Sequence, residues 1–201
     1  DYYCDLPFSE WSKYDSRVVE NTEKILDLFE KYNVKSTFFV LGYIAEKFPE
    51  LIKKISDLGH EISSHTYSHM DLRKVNKEEF EEDFFKSINI LEKITDKKVE
   101  GFRAPFFSIN KNNYWVFKIL SKNLTYDSSI FPVKTQLYGI PNAPRLIYKP
   151  SLKNIIQEDK EGKLIEIVKE KNLQIARSQN ILSVRDWKQQ LHPRSRLQPE
   201  F

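Results

Sequence analysis

Short runs of β-branched and aromatic residues alternate with helix-length amphipathic stretches from Asp15 to Lys171, and that alternation admits few architectures. "DSRVVENTEKILDLFEKYN" places Val18, Ile25, Leu28, Phe29 and Tyr32 on a 3.6-residue stripe, with Asp15 or Ser16 as the expected cap. "STFFVLG" reads as a buried strand stopped by Gly42. "FPELIKKISDLG" has Pro49 in its first turn and Gly59 just past its end, the usual order for a short helix. "HEISS" is a second strand. "NKEEFEEDFFKSINILEKITD" is the longest helix, capped by Asn76, with Phe80, Phe84, Ile88 and Leu91 on its apolar face. "VEGFRAP", "NKNNYWVFKILSKN" and "LTYDSSIF" continue the pattern as strand, helix and strand.

Strands separated by helices imply parallel βαβ units packed as an α/β sheet or barrel, and 201 residues suffice for one such domain. In these folds the chemistry gathers where strands end. His65 and His69 follow "HEISS", Arg103 and Pro105 follow "VEGF", and Asp127 follows "LTY". The pattern weakens after Ile167, and residues 168–201 read as a divergent Arg/Gln-rich tail behind a domain of residues 1–167.

Several classes of function are disfavoured by composition. Basic and acidic residues are nearly balanced at a net charge of +3 and are interleaved, which is a solvated surface rather than a nucleic-acid footprint. A single cysteine, Cys4, excludes an intrachain disulfide framework and a cysteine-based zinc site. No apolar run approaches the roughly 20 residues of a membrane span, and no signal peptide opens the chain. A cytoplasmic location is the expectation.

Three of the four histidines lie in "GHEISSHTYSH". At i, i+4 on a helical turn, His65 and His69 would face one way and could share a divalent ion. They could equally be hydrogen-bonded structural histidines. Ser63, Ser64, Thr66 and Ser68 supply hydroxyls able to orient the rings. His60 reads as structural. Arg103 could grip a carboxylate bidentately or lie on the surface, and Asp127 could be an Asx turn or a cap.

Taken in order, "STFFVLG", "GHEISSHTYSH", "FRAP" and "YDSSIFP" resemble the polysaccharide deacetylase family, the NodB homology domain of carbohydrate esterase family 4. The resemblance covers roughly residues 1–167 and is nearest to an exopolysaccharide-associated cytoplasmic subgroup, whose "YGIPNAPR"-like stretch is also present. It implies a deformed (β/α) barrel, incomplete at both ends, with one divalent ion, expected to be zinc. It implies Asp1, His65 and His69 as metal ligands, Arg103 as the arginine positioning the catalytic carboxylate, and Asp127 as the aspartate tuning a general-acid histidine. His192 is the candidate for that histidine, although it lacks the expected preceding strand and following tryptophan. Asp1 matches the last acid of the family's first motif, so the strand and general base before it are expected to be missing. Pro105, Phe106 and Tyr126 are the expected substrate-binding residues, beside Ala104, Phe107 and Phe131, and a backbone N–H near Phe106 is the expected oxyanion donor. The implied activity is hydrolysis of N-acetyl groups from N-acetylhexosamines in a polysaccharide. The alternatives are a non-catalytic carbohydrate-binding member and a small-amide hydrolase on the same scaffold.

Overall fold

The computed structural model describes residues 6–136 and 138–168. Its centre is a five-stranded, all-parallel sheet in the order β1-β2-β3-β4-β5, comprising Thr37–Val40, Glu61–Ser64, Gly101–Phe102, Tyr126–Asp127 and Ile165–Glu166. Consecutive strands are neighbours throughout, as short βαβ connections favour.

Helix α1 (Val18–Lys31) leads into β1, and α2 (Gly42–Lys47), α3 (Pro49–Asp57), α4 (Lys77–Thr95) and α5 (Trp115–Asn123) supply the crossovers from β1 to β4. The capping of α4 is the one expected. The Asn76 side chain accepts from the Glu79 N–H, and the Glu79 carboxylate accepts from the Asn76 N–H. This reciprocal box satisfies two otherwise orphaned donors. At α1 the cap is instead Arg17, whose side chain does not cap the helix, and the Ser16 hydroxyl accepts from the Val18 N–H.

Side-chain alternation divides each strand between two environments. Phe102 faces the helices, where it meets the rings of Phe80 and Phe84 edge-on at 5.8 and 5.7 Å. All three are fully buried. At about 25 cal/mol per Å² of apolar surface, such aromatics are among the largest single contributors to the core. Tyr126 is on the other face, against Phe39 and beside Ile165. A Cβ at position 101 would stand 2.1 Å from the Tyr126 ring, so only glycine lets that ring cross β3.

Two features depart from the sequence expectation. Gly42 opens α2 rather than merely stopping β1. β3 and β4 are also only two residues long, where longer strands were expected.

Candidate active site

The C-terminal ends of β2, β3 and β4 deliver three loops to one place. His65 follows β2 immediately, and its N–H donates to the Val40 carbonyl at 2.9 Å, extending the parallel ladder by one residue. The chain then leaves extended geometry. Thr66 and His69 have φ of 68° and 59°, so the expected helical turn is not formed. A compact loop with two left-handed residues replaces it and still brings the rings together, with centroids 5.1 Å apart. Two imidazoles bound to one tetrahedral zinc at about 2.0–2.1 Å set their ring centres roughly 5 Å apart. The donor set therefore fits a metal through these two residues. Among the described residues no group of three or more histidines, cysteines or acids could hold an ion. Asp1, the third ligand expected from sequence, lies outside the described residues.

His65 is fixed in one tautomer. Its Nδ1 is 2.6 Å from the Arg103 carbonyl oxygen, which can only accept, so Nδ1 carries the proton and Nε2 keeps its lone pair. Burial holds the ring neutral, with its pKa pushed down to about 4. Burial also lowers the pKa of His69. Neutral imidazole is the ligating form.

The loop is clamped from two sides. At the start of α2, the Gly42 and Tyr43 N–H groups donate to the Thr66 and Tyr67 carbonyls at 2.9 and 3.1 Å. From α4, Asp83 accepts from the Tyr67 N–H (2.6 Å), the Ser68 N–H (3.0 Å) and the Ser68 hydroxyl (2.6 Å). Asp83 was not picked out from the sequence. The available signal was an acid on the buried stripe shared by Phe80, Phe84, Ser87 and Leu91.

Arg103 ends β3 and is largely buried, its guanidinium lying 4.1 Å from the centre of the Phe39 ring. Nε donates to the Ser128 carbonyl at 3.0 Å and Nη2 to the Ser128 hydroxyl at 2.7 Å. Burial lowers its pKa, and the neighbouring Asp127 carboxylate opposes that shift. Pro105 is buried, and Phe106 is exposed with its ring 4.6 Å from that of His69. Phe107, Phe131 and Tyr138 form a second ring cluster at 5.3–5.8 Å spacings.

One expectation needs correction. Tyr126 does not line a substrate surface: it is 1% exposed, and its phenol donates to Glu61 and pairs with Ser63. The register that pairs Tyr126 with Gly101 and Ile165 turns it to the opposite face from Asp127. Asp127, for its part, is fully buried and bound by its own loop. It accepts from the Ser129 hydroxyl at 2.6 Å and the Ser129 N–H at 3.1 Å. His192, the histidine it was expected to tune, lies outside the described residues.

The carboxyl that faces Asp127 is Glu166 of β5, also fully buried and missed in the sequence. Its Oε1 accepts from the Ile130 N–H at 3.0 Å, and its Oε2 is buried with no other partner among the described residues. Burial, then the negative charge of Asp127, pushes the Glu166 pKa well up, and burial also raises that of Asp127. Two register-paired carboxyls buried together cannot both ionise readily, so they titrate as a unit. A raised folded pKa means that its stabilising effect is whole below the ordinary value of 4.5 and is lost as pH rises from there to the folded value. Glu166→Gln, which cannot ionise, is expected to gain stability relative to the parent above that pH, by at most about 1.4 kcal/mol per pH unit. Urea unfolding at a series of pH values measures the difference. A constant difference would mean that Glu166 is ionised in the folded chain.

A five-stranded parallel β/α sheet with a histidine pair and an arginine at its C-terminal rim is the arrangement of an incomplete (β/α) barrel. The polysaccharide deacetylase family model matches residues 9–122, and the chain belongs to that family. It is 43% identical over 98 residues to a peptidoglycan-N-acetylglucosamine deacetylase of Bacillus cereus, covering 49% of this chain and 36% of that protein. It is 32% identical over 107 residues to a peptidoglycan deacetylase of Helicobacter pylori, covering 53% of this chain and 36% of that protein. The chain thus spans about a third of the length of these relatives. The crystal structure of a candidate polysaccharide deacetylase from Mycobacterium smegmatis superposes with a TM-score of 0.59 at 26% identity, over 74% of this chain and 45% of that one. An allantoinase structure shares the fold alone, at a TM-score of 0.58 and 19% identity over 74% of this chain and 43% of that one.

Proposed function

We propose that the protein is a metal-dependent hydrolase that removes N-acetyl groups from N-acetylhexosamine residues of a polysaccharide. The observation that carries this reading is the pairing of His65 and His69, with the His65 Nδ1 proton committed to the Arg103 carbonyl and Nε2 left as a ligand. His65 and His69 would hold the ion. When bound, a divalent ion supplies Lewis-acid polarisation of the acetyl carbonyl and a more acidic water.

The chain's own residues account for other parts of the task. Arg103 brings a fixed positive charge to the site rim, held by Ser128, where it favours the ionised form of a nearby carboxylate. Phe106 offers an exposed ring next to His69 against which a sugar face can lie. Of six non-glycine residues with positive φ among the described residues, Thr66, His69, Phe106 and Phe107 belong to these two loops. Each such conformation costs about 1–3 kcal/mol and persists where the surroundings over-determine it, as functional sites do. The relatives named for peptidoglycan deacetylation support an N-acetylated glycan as substrate.

The test is acetate release from N-acetylglucosamine oligomers and from peptidoglycan, with zinc supplied and the bound metal counted by elemental mass spectrometry. About one zinc per chain with acetate release is the expected result. Zinc-loaded protein that binds the oligomers and releases no acetate would replace this reading with a non-catalytic carbohydrate-binding one.

A further inference from the structure

A continuous chain of contacts runs from β5 to the histidine pair. The Ala104 N–H donates to the Ser129 hydroxyl at 2.8 Å, and that hydroxyl donates to Asp127 Oδ1 at 2.6 Å. Asp127 is the register partner of Glu166 on β5, both side chains are fully buried, and Glu166 Oε1 accepts from the Ile130 N–H. Ala104 is the residue directly after Arg103, so its N–H and the Arg103 carbonyl share one peptide plane. The Ser129 hydroxyl thus grips one side of the peptide whose oxygen receives the His65 Nδ1 proton on the other. Ser128 holds the Arg103 guanidinium and donates its own hydroxyl to the Ile167 carbonyl, a second tie to β5. Every group from Ala104 to Glu166 on this path is buried.

We propose that Glu166 is a positioning residue for the metal site: by holding Asp127 it fixes Ser129 and the 103–104 peptide, and so the tautomer and aim of His65. Through Ser129, Asp127 thereby also acts on the histidine of the β2 loop. The role requires a donor on Glu166 towards Asp127 and an acceptor towards the Ile130 N–H, and a glutamine amide supplies both. Arg103 is the charged group that acts on both members of the pair, and the Tyr148 phenol is the neutral ionisable group on which the pair acts. The proposal rests on His65 and His69 being the metal ligands, and its test is arranged so that the two can fail separately.

Glu166→Ala, Glu166→Gln and Ser129→Ala are compared with the parent in the full chain. In the metal-free protein, nitrogen-15 spectra of the His65 ring should show a single Nδ1–H tautomer in the parent and in Glu166→Gln, and a mixture in Glu166→Ala and Ser129→Ala. Titration with zinc chloride against a chelator should show affinity reduced about tenfold in Glu166→Ala and Ser129→Ala, as loss of outer-shell partners does, and near parental in Glu166→Gln. Parental spectra and affinity in a folded Glu166→Ala would overturn the proposal, as would a glutamine variant as impaired as alanine. If Glu166→Ala does not fold, Ser129→Ala decides: a parental tautomer there breaks the path. A parent chain that binds no zinc sinks the metal reading, while the tautomer comparison still judges the path from Glu166 to His65.

Discussion

His65→Ala is expected to abolish stoichiometric zinc binding, with affinity falling by more than about 100-fold, because altering an outer-shell partner alone costs 10–100-fold. Three properties meet in this side chain. It is half-buried in surroundings that keep it neutral, its Nδ1 is bonded to a backbone carbonyl, and its Nε2 is thereby available to a metal. Alanine removes the ligand and leaves the Arg103 carbonyl without that donor. His69→Ala is expected to act in the same direction. Any acetate release should fall in step with bound zinc. The measurement is zinc per chain by elemental mass spectrometry, alongside circular dichroism to establish that the fold persists. A folded His65→Ala chain that still carries one zinc would show that the ion sits elsewhere.

The second large effect is expected at Asp83, which touches neither histidine. Its carboxylate receives three hydrogen bonds from Tyr67 and Ser68 in the middle of the histidine loop. Hydrogen bonds to a charged acceptor contribute about 1.5–3 kcal/mol each at most, and buried donors left unmatched add their own penalty. Asp83→Ala is therefore expected to destabilise the chain by about 2–4 kcal/mol, read from the urea midpoint at constant slope. The loop's left-handed residues, Thr66 and His69, would lose what holds them, so zinc affinity should drop as well. Asp83→Asn retains one acceptor oxygen and should fall between parent and alanine. A loss of less than about 0.5 kcal/mol would place Asp83 among ordinary surface-like positions.

The sequence shows α4 because nineteen residues allow several turns of apolar repeat and because Asn76 and Glu79 carry their capping chemistry locally. It shows His60 as structural for a similar reason: a buried strand entry leaves a polar ring little choice, and His60 Nδ1 accepts from the Ser36 N–H. The six-residue α2 is hidden. "GYIAEK" is too short for periodicity, and its first N–H groups are satisfied by carbonyls of the histidine loop more than twenty positions away. β5 is hidden too, since two residues make no pattern and its place follows from pairing with β4.

Residue type and order along the chain determined which groups stand at strand ends, because a parallel β/α arrangement sends every strand's C-terminus to the same rim. His65, Arg103 and Asp127 were placed there by that argument alone. Which way each side chain turns was decided only by tertiary structure. Strand register sent Tyr126 beneath Phe39 and Asp127 towards Glu166, one residue apart and on opposite faces. The linkage of Glu166, Asp127, Ser129 and the Arg103–Ala104 peptide to His65 spans about a hundred residues, and its hydrogen bonds from Ala104 to Ser129 and from His65 to Arg103 form only once the sheet has assembled.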